Sequence, residues 1–124
     1  INVPNASAMS LWYEDNLGLK VKKKMADPPY MTFLADDSGT VMLEIYSNPK
    51  GETLEFTQLH PLAVHLALVS EDPVSDKARL IAAGASEMSD DFLPDGSHLV
   101  MLRDPWGICI QLCKRAIPML DSQS

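Results

Sequence analysis

The chain has 124 residues, 46% hydrophobic and 22% charged, which is the size of one ordinary domain and apolar enough to bury a core instead of staying disordered. Charge or proline cuts its longest apolar runs well short of the roughly 20 residues a membrane-spanning helix needs, so no membrane span is expected. Ten Lys and Arg against seventeen Asp and Glu leave a net charge of −7, which repels phosphate backbones and anionic lipid unless the cations gather. Lys20, Lys22, Lys23 and Lys24 form the one basic cluster. It reads as the solvated side of a strand, and no nucleic-acid or membrane partner is expected.

The chain opens at Ile1, without an initiating Met and inside what reads as a strand, Ile1–Val3, so further residues are expected upstream. Asn5 can cap a helix over Ala6–Leu17 whose apolar face is Ala8, Met9, Leu11, Trp12 and Leu17, with Gly18 ending it. Three strands follow, Leu19–Lys24, Tyr30–Ala35 and Val41–Tyr46, separated by Pro28-Pro29 and by the turn Asp36–Gly39. After a linker come a strand Ala63–Ser70, a helix Ser75–Ala83 stopped by Gly84, and a weak strand near Ser86–Met88. A strand His98–Arg103, the turn Asp104–Gly107 and a strand Ile108–Lys114 complete the pattern.

The two halves resemble each other. At an offset of 67 positions, Leu34–Tyr46 lies over Met101–Cys113, apolar on apolar and Asp37 on Asp104, and Asn5 falls on Asp72. Self-similarity of this kind marks a repeated supersecondary unit. The expected fold is therefore α+β, with two tandem βαβββ modules whose curved mixed sheets form a half-barrel cavity. One domain over 1–124 divides into a first module of about 1–48, a linker of about 49–62, a second module of about 63–117 and a tail, 118–124.

Strand period two sorts the side chains. Val41, Leu43 and Ile45 share a face suited to lie against a helix, and Met42, Glu44 and Tyr46 share the other. In the second half Ile108, Ile110 and Leu112 oppose Cys109, Gln111 and Cys113. A carboxylate in the middle of an apolar strand is costly if desolvated and unpaired, which singles out Glu44. His65, in the opening strand of the second half, is the next candidate, because a repeat brings first-strand and last-strand positions of both halves together. Its counterpart falls at −2, the third position before Ile1.

His60 and His98 read as solvated loop or strand-end residues, and the acidic pairs Asp36-Asp37 and Asp90-Asp91 as solvated turns without a calcium-loop pattern. Cys109 and Cys113, four apart on one strand, point the same way about 13 Å apart, cannot bond to each other, and read as buried hydrophobes. With no disulfide framework and no signal-peptide pattern, a cytoplasmic location is the default.

Trp12-Tyr13-Glu14-Asp15-Asn16-Leu17-Gly18-Leu19 resembles the helix-ending segment of the vicinal oxygen chelate superfamily, the group of glyoxalases, bleomycin resistance proteins and extradiol dioxygenases. His65-Leu66-Ala67-Leu68 resembles its second-module opening, and Leu102–Gly107 followed by Ile110-Gln111-Leu112 resembles its closing strand pair. The resemblance implies metal ligands at Glu44, His65, Gln111 and the −2 position. A neutral amide at Gln111, where dioxygenases and fosfomycin-resistance enzymes carry glutamate, weighs against those two branches. It implies a divalent ion (Zn, Ni, Co, Mn or Fe) chelating neighbouring substrate oxygens, with Glu44 also acting as base. Tyr46, Trp106, Cys109 and Cys113 would line a partly apolar pocket.

Three functions stay open: a metal-dependent lyase or isomerase of glyoxalase type, a metal-free small-molecule binder of the bleomycin-resistance kind, and a structural domain. The lack of a basic cluster near the site weighs against a large polyanionic substrate. A homodimer is expected from the resemblance and from the apolar surplus, which includes seven Met.

Overall fold

A computed structural model describes residues 1–120. The fold is α+β, and the chain divides into two compact units, Ile1–Leu54 and Glu55–Ser124. In the first unit, α1 (Ala6–Leu17) is followed by β1 (Lys20–Lys24), β2 (Thr32–Ala35) and β3 (Met42–Ile45), an antiparallel sheet in the order β1-β2-β3. The second unit opens with a short 3-10 turn, Phe56–Gln58. It continues with β4 (Leu66–Val69), α2 (Pro73–Ala82), β5 (Ser86–Phe92), β6 (His98–Arg103) and β7 (Cys109–Lys114), in the sheet order β4-β7-β6-β5. Strand β4 runs parallel to β7 and the other neighbours are antiparallel. No helix among the described residues is long and apolar enough to cross a membrane.

Helix α1 starts where Asn5 Oδ1 accepts a hydrogen bond from the Ala8 amide at 3.1 Å and ends at Gly18, whose φ of +68° suits a residue without Cβ. Its buried face is Ala6, Met9, Ser10 and Tyr13, with Leu11 exposed. This corrects the expected face of Ala8, Met9, Leu11, Trp12 and Leu17. The spacing i, i+3, i+4, i+7 is that of an ideal stripe, but it includes a serine and a tyrosine that an apolar-only reading skips. Under the helix lie Leu34 and Ile45, both fully buried, each contributing about 1.5–3 kcal/mol by leaving water.

The expected first strand is present as a single parallel bridge between Asn2 and Tyr46, while in the second unit Val69 pairs in parallel with Cys113. Both members of the second pair sit 67 positions beyond those of the first. Strand β2 begins two residues later than expected because Tyr30 takes φ +56°, which no extended strand accommodates, and its amide closes a turn on the Asp27 carbonyl at 2.9 Å. Strand β4 begins at Leu66, not Ala63, because the Ala63 amide is used in a turn with the His60 carbonyl at 2.8 Å. Helix α2 begins at Pro73, two residues earlier than expected, since Pro has no amide to leave unpaired in the first turn and Asp72 caps the Ser75 amide.

The largest departure is β5, which extends to Phe92 through Asp90 and Asp91, so this acidic pair belongs to a strand and not to a turn. The turn lies beyond it, where the Leu93 amide meets the Ser97 carbonyl and Gly96 takes φ +93°. An edge strand this acidic pairs because Lys77 of α2 reaches both Glu87 (2.7 Å) and Asp90 (2.8 Å). The apolar side of the same sheet packs Val100, Leu102, Ile110 and Leu112 with Leu80 of α2 in the buried core.

Candidate functional site

In the first unit, Phe33 pairs with Glu44 and Thr32 with Ile45. Directly paired residues share a face, so Glu44 stands with Phe33, Met42 and Tyr46 on the face opposite that of the buried Thr32, Leu34 and Ile45. The expected split of β3 therefore holds, although Val41 lies outside the strand and is exposed. Glu44 is half-buried, and its carboxylate makes no side-chain hydrogen bond among the described residues. A bulge between Val21 and Lys23 turns β1 so that Lys20 pairs with Ala35 and Lys23 with Phe33. Two cations thus share the face of Glu44, beside which no basic cluster was expected. With strands about 4.8 Å apart, Lys23 stands roughly 10 Å from Glu44 across Phe33.

In the second unit, Gln111 pairs with Ala67 on one side and Met101 on the other, and Cys113 pairs with Val69 and Leu99. His65 immediately precedes β4, two residues before Ala67, the partner of Gln111. The ring of His65 is fixed: its Nδ1 lies 2.9 Å from the Pro61 carbonyl oxygen. That oxygen can only accept, so Nδ1 carries a proton, and in the neutral ring Nε2 then keeps a free lone pair, the form in which histidine ligates a metal. Gln111 Oε1 lies 3.3 Å from the Cys113 thiol, which donates to it and leaves the second lone pair of the amide oxygen available. Burial pushes both the Cys109 and Cys113 thiols up from their ordinary range, so both stay protonated at neutral pH and serve as apolar wall.

Trp106 stands apart from these strand positions, in the turn Asp104–Gly107. Asp104 is buried there and its Oδ1 accepts from the amides of Trp106 and Ile108, both at 2.9 Å. Tyr46 sits at the bridge with Asn2, half-buried. Among the described residues no three His, Cys, Asp or Glu side chains come together as a metal group. The first unit offers one carboxylate, Glu44, and the second offers one imidazole, His65, and one amide oxygen, Gln111.

Two polar groups escaped the reading of the sequence. Arg103 donates from Nη1 to the carbonyls of Phe56 (2.9 Å) and Gly107 (2.8 Å) and from Nη2 to that of Leu59 (2.8 Å). No sequence signal distinguishes such an arginine from a solvated one. His98, expected at a solvated strand end, is buried, its Nε2 2.5 Å from Asp90 Oδ1 and its ring stacked on Phe92 at 4.0 Å. The pairing of Phe92 with His98 across β5 and β6 puts them together, and a longer β5 was the missing signal.

The Lys77 ammonium, and next the His98 ring, hold the Asp90 carboxyl below its usual range. A depressed carboxyl stabilises the fold above the unfolded-state value near 4, and this contribution is lost as pH falls through the folded value. Melting temperature followed from neutral pH downward is expected to fall less steeply below pH about 4 for Asp90→Asn than for the parent protein. Equal slopes would show that the pair contributes nothing to acid stability.

The Glyoxalase-like domain family model matches residues 1–113. No curated protein matches significantly. Solved structures of similar fold include a glyoxalase family protein from Bacillus cereus (TM-score 0.74, 16% identity, 91% of this chain and 88% of that one). A lactoylglutathione lyase from Agrobacterium tumefaciens gives 0.66 at 21% identity, covering 91% and 87%. A glyoxalase/bleomycin resistance protein from Albidiferax ferrireducens gives 0.65 at 22% identity, covering 93% of each chain. At these identities the likeness is one of fold.

Proposed function

This chain belongs to the glyoxalase-like domain family, in the vicinal oxygen chelate superfamily, and from that premise we propose that it is a metal-dependent lyase or isomerase acting on a small, partly apolar substrate. The donors we assign to a divalent ion, from among Zn, Ni, Co, Mn and Fe, are the Glu44 carboxylate of the first unit and, in the second, His65 Nε2 and the Gln111 amide oxygen. When bound, the ion supplies Lewis-acid polarisation of two neighbouring substrate oxygens. Glu44 takes the proton from the adjacent carbon, a task open to a half-buried carboxylate that no side chain neutralises. Tyr46, Trp106, Cys109 and Cys113 give the substrate apolar contacts. Lys20 and Lys23, on the face of Glu44, favour a substrate with an anionic tail. The observation that supports the reading is the Pro61–His65 contact, which in the neutral ring leaves Nε2 as an acceptor.

The protein is read as a homodimer in the cytoplasm. Metal analysis after dialysis against each of the five ions, with sedimentation of the same samples, is the test: about one ion per chain on a dimer is the expected result. A protein that stays metal-free while binding small aromatic ligands is instead a sequestering protein of the bleomycin-resistance kind. The neutral amide at Gln111 and the protonated thiols flanking it favour that second reading.

A further inference from the structure

Arg103 makes no ion pair among the described residues; its guanidinium is spent on three backbone carbonyls from two segments. Two of them, Phe56 and Leu59, belong to the 3-10 turn that leads toward His65, and the third, Gly107, belongs to the turn at the other end of the clamp. The approach is tight: a Cβ built on Gly107 would lie 2.7 Å from the Thr57 backbone nitrogen. Beyond Leu59 the chain is held by a second turn, in which His60 Nδ1 accepts from the Leu62 amide at 3.0 Å and the His60 carbonyl accepts from the Ala63 amide at 2.8 Å. Between those two anchored stretches sits Pro61, whose carbonyl accepts from His65 Nδ1.

We propose that Arg103 is a positioning residue for His65: by anchoring Phe56 and Leu59 to the Gly107 turn it fixes the Pro61 carbonyl, which selects the imidazole tautomer with Nε2 free. A planar fork with five donors is suited to this, because one rigid group can reach three acceptors at once, whereas an ammonium on a flexible stem is a single point. The neutral imidazole in water favours the proton on Nε2, the opposite of what ligation through Nε2 requires. Holding the unfavoured tautomer takes a carbonyl that does not move. The functional consequence rests on His65 being the ligand or proton acceptor proposed above; the selection of the tautomer does not.

The test is the nitrogen NMR signature of His65 in the whole, chelator-treated protein at about pH 8, above the ordinary histidine range. The parent protein is expected to show Nδ1 protonated. Arg103→Met is expected to move His65 toward the Nε2-protonated form, and Arg103→Lys to leave it there. Should Arg103→Met fail to fold, His60→Ala weakens the second anchor at an exposed position by removing its side-chain bond to the Leu62 amide, and is expected to shift the tautomer part of the way. A folded Arg103→Met that keeps Nδ1 protonated, or an unfolded one combined with an unshifted His60→Ala, overturns the proposal. A zinc titration of the same proteins separates the two readings. If zinc binds, Arg103→Met should lose about 10- to 100-fold in affinity, the usual weight of an outer partner of a ligating histidine. If zinc does not bind the parent protein but the tautomer still shifts, the metal reading falls and the positioning role stands.

Discussion

Gly107→Ala should cost about 4 kcal/mol of folding stability, a large fraction of the roughly 5–15 kcal/mol a domain has to spare. Two separate penalties meet at this position. Gly107 takes φ +94°, where a side chain costs about 1–3 kcal/mol. A Cβ there would also lie 2.4 Å from Thr57 Cγ2, 2.7 Å from its nitrogen and 3.0 Å from its Cα. The methyl of Thr57 can rotate away, but the backbone atoms cannot yield without moving the 3-10 turn that Arg103 holds, and overpacking of this kind costs another 1–3 kcal/mol or so. Gly96 is the internal control, because it takes φ +93° with nothing within 4 Å of its would-be Cβ. Gly96→Ala therefore isolates the conformational penalty, and the difference between the two variants in urea midpoint, at unchanged slope, measures the collision. Equal losses at the two glycines would show that the 55–59 segment does not press on the turn in solution.

The same segment marks where the sequence stops being readable. The bounds of helix α1 match the expected Ala6–Leu17, though not its buried face, because Asn5 and Gly18 bracket it with chemistry that acts locally. Strand β6 did as well, because Gly96-Ser97 and Asp104-Pro105 punctuate it on both sides. The alternation that put Glu44 and Tyr46 opposite Ile45 is likewise a local property of β3. By contrast, β5 carries Glu87, Asp90 and Asp91, and its strand character depends on Lys77 ten and thirteen positions away. Propensity alone could not extend it past Met88. His98 was misplaced for the same reason, since both its partners, Asp90 and Phe92, lie on the unrecognised part of that strand. The Arg103 clamp spans 44 and 47 positions to Leu59 and Phe56, and backbone carbonyls carry no sequence signature at all. Lys23 stands beside Phe33 on the face of Glu44, in place of Lys22, only through a bulge, which alternation by itself does not foresee.

Glu44→Gln should lower turnover by about 10²-fold or more while leaving most of the metal bound. Under the proposed chemistry Glu44 has two tasks that the substitution separates. Glutamine keeps an oxygen for coordination, so the ion is retained at reduced affinity, but an amide does not accept a proton from carbon, and loss of a general base typically costs 10²–10⁴ in rate. The loss should fall on kcat with little change in KM, the pattern of an interaction used only in the transition state. Gln111→Glu is the complementary change: it adds an anion to a site built for a cation and should tighten zinc, while the new carboxylate, on a different strand and flanked by protonated thiols, should not replace the base. The assay is a screen of α-oxoaldehydes, thiohemiacetals and catechols with metal content measured on each sample. If Glu44→Gln turns over an accepted substrate at the parent rate, Glu44 is a ligand only and the proton goes elsewhere, with His65 Nε2 as the next acceptor. If both variants bind metal as the parent does and neither alters any turnover, Glu44 and Gln111 lie outside the site.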